Sequence, residues 1–397
     1  MRSKWTVLAL IWLSLFVAYL DRVNLSIAGP TMLRELHLSY AQFGALSSAF
    51  LIGYAAMQIP AGALADRYGP RRVLAGALTG WSIFTGVTGL ASSFWGVALA
   101  RVGLGLGEGM ENGAQFKLLG AAFESRGRSG YGALFLTALA VAPACAAPVA
   151  AFVLLHAGWR ALFAWFAIPG FVVALLVWLI LPASERATES AEPASMRSWL
   201  PVLARNGVWL AALAYFGFNI AFWGLLAWLP TYLTDTRHIQ LQQLGVAASL
   251  PYVGGFFGLL AIGWLGTRVA HARAALVAGA YVFAAVGLYV AYFSATPSQC
   301  VAAMTFAAFF LYGGFGPLWA IVLDRAPHAM HGTVAGVVNF CGQIGGFIAP
   351  VTIGLIVHAT GSFGGGFAFM EGGLLAAAVA LLALGMTSKE PTNATET

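Results

Sequence analysis

Stretch after stretch of this chain is apolar nearly from end to end, each about 20 residues long, which is the length a helix needs to cross a bilayer. Lipid supplies no hydrogen-bond partners, so backbone groups in such runs must bond within their own segment, and helix is the form that does so. Twelve runs can be delimited: 5–27, 40–63, 73–91, 95–120, 129–155, 160–181, 207–232, 242–266, 273–294, 299–322, 332–357 and 364–387. Apolar residues make up 60% and charged residues 9%, against roughly 45–50% and about 25% in soluble domains. Most helices are therefore apolar on every side, and the expected fold class is an all-α membrane protein. The opening MRSKW could begin a secretory signal, but no A-x-A site follows and the run continues through Asp21 to Ile27, so it is read as a retained first span.

An even number of spans puts both termini on one side. Fourteen of the 20 Lys and Arg residues fall on that side, from Arg2 and Lys4 through Arg67, Arg71, Arg72 and Arg268 to Lys389. Only Arg34, Arg160 and Arg237 fall on the other. The positive-inside bias then places both termini in the cytoplasm of a multi-pass cell (inner) membrane protein. The net charge of +6 reflects that topology and gives no reason to expect a nucleic-acid partner. Three cysteines, Cys145, Cys300 and Cys341, are far apart and lack CxxC spacing, so neither disulfides nor zinc is indicated and all three are read as buried thiols.

One long polar connection, PASERATESAEPASMRSW at 182–199, divides the spans six and six. The expected domains are an N-terminal six-helix bundle over 1–182, a cytoplasmic linker over 183–206 and a C-terminal six-helix bundle over 207–397. The halves echo each other, as internal repeats in transporters do. GALADRYGPRR carries Gly62, Asp66, Arg67, Gly69, Arg71 and Arg72; GWLGTRVAHAR, 201 residues later, carries Gly263, Thr267, Arg268 and Arg273. Gly62 can let helices approach closely, Gly69-Pro70 makes a turn, and the arginines hold the loop inside. This motif, between spans two and three with a weaker copy between eight and nine, resembles the signature loop of the major facilitator superfamily. The resemblance implies two pseudo-symmetric six-helix bundles around a central cavity, with Asp66 and its arginines acting in a gate. Thr267 stands where the first copy has its acid.

Ionisable residues inside spans mark a wet cavity or a pathway, because charge at hydrocarbon depth is costly. Here they are Asp21, Arg22, Arg101, Glu108, Glu111, Lys117 and Glu371. Arg101 and Glu108 are two turns apart on one face, with Glu111 three residues further. Burial and a neighbouring guanidinium pull a carboxylate in opposite directions, so small rearrangements decide whether it holds a proton. An arginine stays charged and offers a planar fork to a ligand carboxylate. The structural alternative is an ion-pair network that locks helices together, an expensive device at this size.

YLDRVNLSIAGPTM and RVGLGLGEGMENGAQFKLLGAAFESRGR resemble the first and fourth spans of the anion:cation symporter family, which includes bacterial hexonate/proton symporters and the animal sialin and vesicular glutamate carriers. Departures are Gly109, Met110 and Gly113 in place of Ala-Pro and Pro, and Lys117 in place of arginine. The resemblance implies that Asp21 and Glu108 take up protons, that Arg101 biases Asp21, and that Arg22 anchors a substrate carboxylate. Tyr54, Gln58, Trp319 and Asn339 would line the same cavity. Glu111 is not part of the pattern and either pairs with Lys117 or tunes Glu108.

The fifth span offers only Thr137 and Cys145 as polar side chains, where hexonate carriers present an amide. That leans the substrate toward a less hydroxylated acid, aromatic or short, with sugar acids kept open. His328 and His331 lack the carboxylates of a metal site, no phosphate-cradling loop points to ATP use, and GLGLGEG lies in a membrane helix with no strand before it. No cluster suited to a membrane-embedded enzyme is present. The reading is a secondary transporter, not an enzyme, importing an organic carboxylate by proton symport through alternating access. It needs no cofactor beyond the coupling proton, and its partners are a small organic anion and the lipid bilayer, with a monomer expected. A proton-coupled efflux antiporter of the same fold is the alternative, though the fifth span lacks the G-P-x-x-G-G of such antiporters. A membrane-embedded enzyme or a non-transporting sensor stands further off.

Overall fold

The apolar runs fold as helices, and Gly and Pro set where they stop. The computed structural model describes residues 4–58, 60–123, 128–182, 207–326 and 330–387. The expected linker at 183–206, His328, and the terminus-side Arg2, Arg126, Arg186, Arg197, Arg205 and Lys389 lie outside the described residues. In chain order the α-helices are α1 (Lys4–Glu35), α2 (Tyr40–Gln58), α3 (Pro60–Tyr68), α4 (Pro70–Leu90), α5 (Phe94–Gly109), α6 (Glu111–Ala122), α7 (Arg128–Leu136), α8 (Ala138–Ile180), α9 (Val208–Asp235), α10 (Leu241–Arg268), α11 (Arg273–Phe293), α12 (Pro297–Gly313), α13 (Phe315–Arg325), α14 (His331–Thr360) and α15 (Gly364–Met386).

Among the described residues nine stretches are long and apolar enough to cross a membrane, α12 and α13 counting together as one, or ten when α2 and α3, bent by 54°, are also joined. Two further traverses complete twelve. Gly158, with φ of 76°, breaks α8 into an outward and a returning helix. The other is α5 with α6, whose halves are 16 and 12 residues long. At their junction the Met110 N–H bonds to the Gly107 carbonyl three residues back, the tightened pattern of a 3-10 turn. Besides the bend in 40–63, three expected spans are interrupted within their length: 95–120 at Met110, 129–155 at Thr137 and 299–322 at Gly314. The second-span link is also more ordered than expected, since α3 carries helix through Asp66 to Tyr68. The turn that follows requires Gly69 at φ of 82° with Pro70 at the first position of α4, where proline's missing N–H is no loss.

Two helical halves pack around α1 and α9. In the first, α1 lies on α8, α2 on α5, and α4 on both α5 and α8; in the second, α9 lies on α14 and α15, α10 on α12, and α11 on α12 and α15. Glycine lets the first half close tightly: a side chain at Gly105 would collide with the Phe50 carbonyl of α2, and one at Gly107 would meet Trp81 of α4 at 2.7 Å. The GLGLGEG run is thus the packing surface of α5, with neighbours on two faces.

The halves meet along α1 with α9, α2 with α14, and α8 with α10. The last two contacts are pseudo-equivalent. Gly44 of α2 abuts the Pro350 carbonyl of α14, and Gly245 of α10, 201 residues later, abuts Pro148 of α8. Nearby, Tyr40 donates to Asp235 at 2.8 Å and Ser48 donates to the Phe347 carbonyl at 2.6 Å. These contacts close the end of the molecule remote from the termini. Among the described residues, no other side-chain hydrogen bond or ion pair crosses between the halves.

Of the cysteines, only Cys300 is buried; Cys341 is half-buried and Cys145 is exposed. The expectation of three buried thiols is corrected accordingly. Cys145 is exposed on α8, three residues before the Pro148 that abuts Gly245 of the other half.

Candidate functional site

The middle of α1 is buried without a break from Asp21 to Pro30, so its two adjacent charges cannot reach solvent and must be met by neighbouring helices. Arg22 extends toward α5. Its Nε donates to Glu108 Oε2 at 2.8 Å, and one terminal nitrogen reaches the same oxygen at 2.8 Å. Four aromatic rings surround the guanidinium carbon: Tyr19 at 4.3 Å, Tyr54 at 5.2 Å, Phe50 at 5.3 Å and Trp223 at 5.6 Å. Trp223 belongs to α9, so both halves contribute to the enclosure. Cation–π attraction of this kind strengthens when the cation is desolvated.

Asp21 turns the other way, toward α4 and α5. Its Oδ1 accepts from Asn24 at 3.2 Å, its Oδ2 has no hydrogen-bond partner, and Thr85, Trp81 and Arg101 adjoin it. Arg101 is 2% exposed, sits 5.3 Å from the Phe50 ring, and has Nε and one terminal nitrogen unbonded. Among the described residues no carboxylate lies within 4.0 Å of it. The expected grouping of Asp21, Arg22, Arg101 and Glu108 is thus present, with the direct ion pair joining Arg22 to Glu108.

Glu111 and Lys117 do not pair. Glu111 is fully buried, and its Oε2 accepts from Gln115 Nε2 at 2.8 Å; the same amide nitrogen reaches Ser14 Oγ on α1 at 2.8 Å. Lys117 instead forms an ion pair with Asp66. Of the cavity candidates, Tyr54 accepts at its hydroxyl from Asn112 at 2.6 Å, and Gln58, one turn on, is half-buried with its amide nitrogen unbonded. Trp319 packs edge-on against Tyr215 at 5.1 Å, and Asn339 accepts from Gln343 at 3.3 Å. Glu371 lies apart on α15, partly exposed. Thr137 accepts from Trp12 at 3.0 Å and donates to the Leu134 carbonyl, so its hydroxyl is engaged, whereas Cys145, the other polar side chain of the fifth span, is exposed.

In the loop motif, Asp66 is held by Lys117, Arg67 lies over Tyr68 at 5.3 Å, and Arg71 lies over Trp178 at 4.7 Å; Gly62 and Arg72 are exposed. In the second copy the polarity is reversed. Arg273, the first residue of α11, pairs with Asp324 of α13 at 2.6 Å, so the acid absent at Thr267 is supplied by the neighbouring helix. Thr267 donates to the Trp264 carbonyl at 2.7 Å.

Sequence reasoning missed the aromatic enclosure and the amides. Asn24 and Gln115 stand three and four residues from the acids they bond, a helical spacing that could have shown them. Tyr19, Phe50 and Trp223 come from three helices, and no local pattern brings them together.

Residues 11–350 match the family model described as "Major Facilitator Superfamily". The chain is 29% identical over 385 residues to the "Probable L-galactonate transporter" of Escherichia coli, covering 91% of this chain and 85% of the relative. It is 28% identical to the "Hexuronate transporter" of Bacillus subtilis, covering 94% and 92%, and 31% identical to the "Probable sulfoacetate transporter SauU" of Cupriavidus necator, covering 96% and 94%. Among solved structures, a bacterial homologue of the human lysosomal transporter Spinster, inward-facing and unoccupied, aligns with a TM-score of 0.72 at 19% identity, covering 97% of this chain and 96% of that one; this likeness speaks for the fold.

Proposed function

The chain belongs to the Major Facilitator Superfamily, and from that premise we propose that it imports an organic carboxylate anion together with protons by alternating access. The observation that carries the reading is Arg22, bonded to Glu108 and enclosed by rings from both halves. While Glu108 is ionised it occupies the guanidinium fork. A proton on Glu108 weakens that bond and frees the fork for a ligand carboxylate, which Arg recognises through paired N–H groups. Proton uptake and anion binding thereby favour each other. Asp21, about 100° round α1 from Arg22, lies near Arg101 without a direct ion pair and is the second protonation site of this reading. The contacts that close the end remote from the termini support a state open toward the termini. The Lys and Arg bias supports a cytoplasmic position for that side, in an inner membrane.

The rocking bodies in this proposal are residues 1–182 and 207–397, joined by 183–206, and a single copy suffices. The relatives carry names of sugar-acid and sulfoacetate transporters. An aromatic wall with few free polar side chains favours the less hydroxylated members of that range. The test is uptake into proteoliposomes under an imposed inward proton gradient, with L-galactonate, galacturonate, tartrate and sulfoacetate as substrates. Accumulation that collapses with a protonophore supports symport. Accumulation driven only by an outward gradient of protons overturns it in favour of antiport.

A further inference from the structure

Two guanidinium groups meet three carboxylates between α1, α5 and α6. Arg22 is bonded to Glu108, and Arg101 lies beside Asp21. Glu111 is left over. It is fully buried, its Oε1 has no hydrogen-bond partner, and its Oε2 accepts one bond from Gln115. The ionisable groups that face it are Glu108 from α5 and Arg22 and Tyr19 from α1. Lys117, on its own helix, is turned to Asp66 of α3, and Tyr54 of α2 is bonded to Asn112. The carbonyl end of α5 and the amide end of α6 meet at Met110, so the opposite partial charges of the two ends offset each other there and lend an anion little support. Glu108 Oε1 and Gln115 Oε1 are also buried and unbonded, and an O–H on Glu111 would supply a donor to such a site.

A buried carboxylate with no cation of its own and a second carboxylate three residues away is held more cheaply as the acid. We propose that Glu111 is an additional proton-binding site of the cluster, so that Asp21, Glu108 and Glu111 exchange three protons where the symporter resemblance assigns two. The Gln115 amide links it to Ser14 on α1, the helix that carries Asp21 and Arg22. This deepens the transport reading and rests on it only for when in the cycle the proton moves.

The experiment is infrared difference spectroscopy of the purified full chain in lipid bilayers, taken between mildly acidic and mildly alkaline buffers, with no substrate present. The expected result is a carbonyl stretch of a protonated carboxyl that disappears on alkalinisation in the natural protein and is missing from Glu111→Gln. Difference spectra that match in both proteins overturn the proposal. Should E111Q fail to fold, Gln115→Met removes the donor that favours the ionised form, and the same band must then be lost at a more alkaline pH; an unmoved transition also overturns it. Loss of the band without any pH-driven uptake leaves the proton site standing and defeats the transport reading instead.

Discussion

Arg22 does two things that a lysine could not do together. Its planar fork holds Glu108 through two nitrogens, and its faces lie among aromatic rings. Arg22→Lys is therefore expected to lower uptake at least tenfold while the protein still folds, read in the proteoliposome assay. Arg22→Gln is a different case, because it leaves Glu108 ionised and buried without its partner, a loss of about 3–5 kcal/mol. Thermal unfolding should show a clear drop for R22Q that the double variant R22Q/E108Q largely restores, and absence of that rescue would count against direct coupling of the two. Asp21→Asn keeps the shape and the Asn24 neighbour but cannot bind or release a proton; exchange of substrate across the membrane should persist while accumulation against a gradient is lost.

At the scale of helices, what could be read from sequence followed the kind of signal each feature leaves. Span positions were legible because twenty apolar residues in a row have few other fates. The bends at Met110 and Gly314 were not, since a break inside a continuous apolar run leaves only glycines as a hint, and glycine serves helix packing equally well. The charged members of the site were legible as residues, because each violates the apolar pattern. Their pairing was not: Arg22 with Glu108 and Lys117 with Asp66 depend on the rotation of α1, α5 and α6 about their axes. A helix-scale prediction concerns α5 on α2. Gly105→Val would push a branched side chain against the Phe50 carbonyl, with a penalty of about 1–3 kcal/mol. Since Phe50 also adjoins both arginines, unfolding temperature and uptake should fall together. The reversed ion pairs give another. Exchanging the charges in Asp66→Lys/Lys117→Asp should restore most of the uptake lost in either single variant, as double-mutant logic requires of a direct pair.

Across the whole molecule, the echo between halves extends beyond the loop motif. His37 and His238, 201 residues apart, are the non-glycine residues with positive φ among those described, at 50° and 53°, and each closes the first long helix of its half. Both begin the turns that lead into α2 and α10, the helices whose Gly44 and Gly245 touch the opposite half. The outer closure is thus one construction used twice. A tryptophan at either glycine, Gly44→Trp or Gly245→Trp, should act as a wedge and shift the population toward the outward-open state. Cysteine labelling from outside at positions beside Arg22 would report it, and unchanged labelling in both variants would contradict the role given to these contacts.

Because Gly44 and Gly245 bring main chain directly onto the other half, the latch at the end remote from the termini is largely steric. Such a latch has a consequence for how the protein responds to its surroundings: ionic strength should hardly alter how often it opens, whereas a single added methyl group should. Evolution of transport speed in a carrier built this way would run through side-chain volume at two positions.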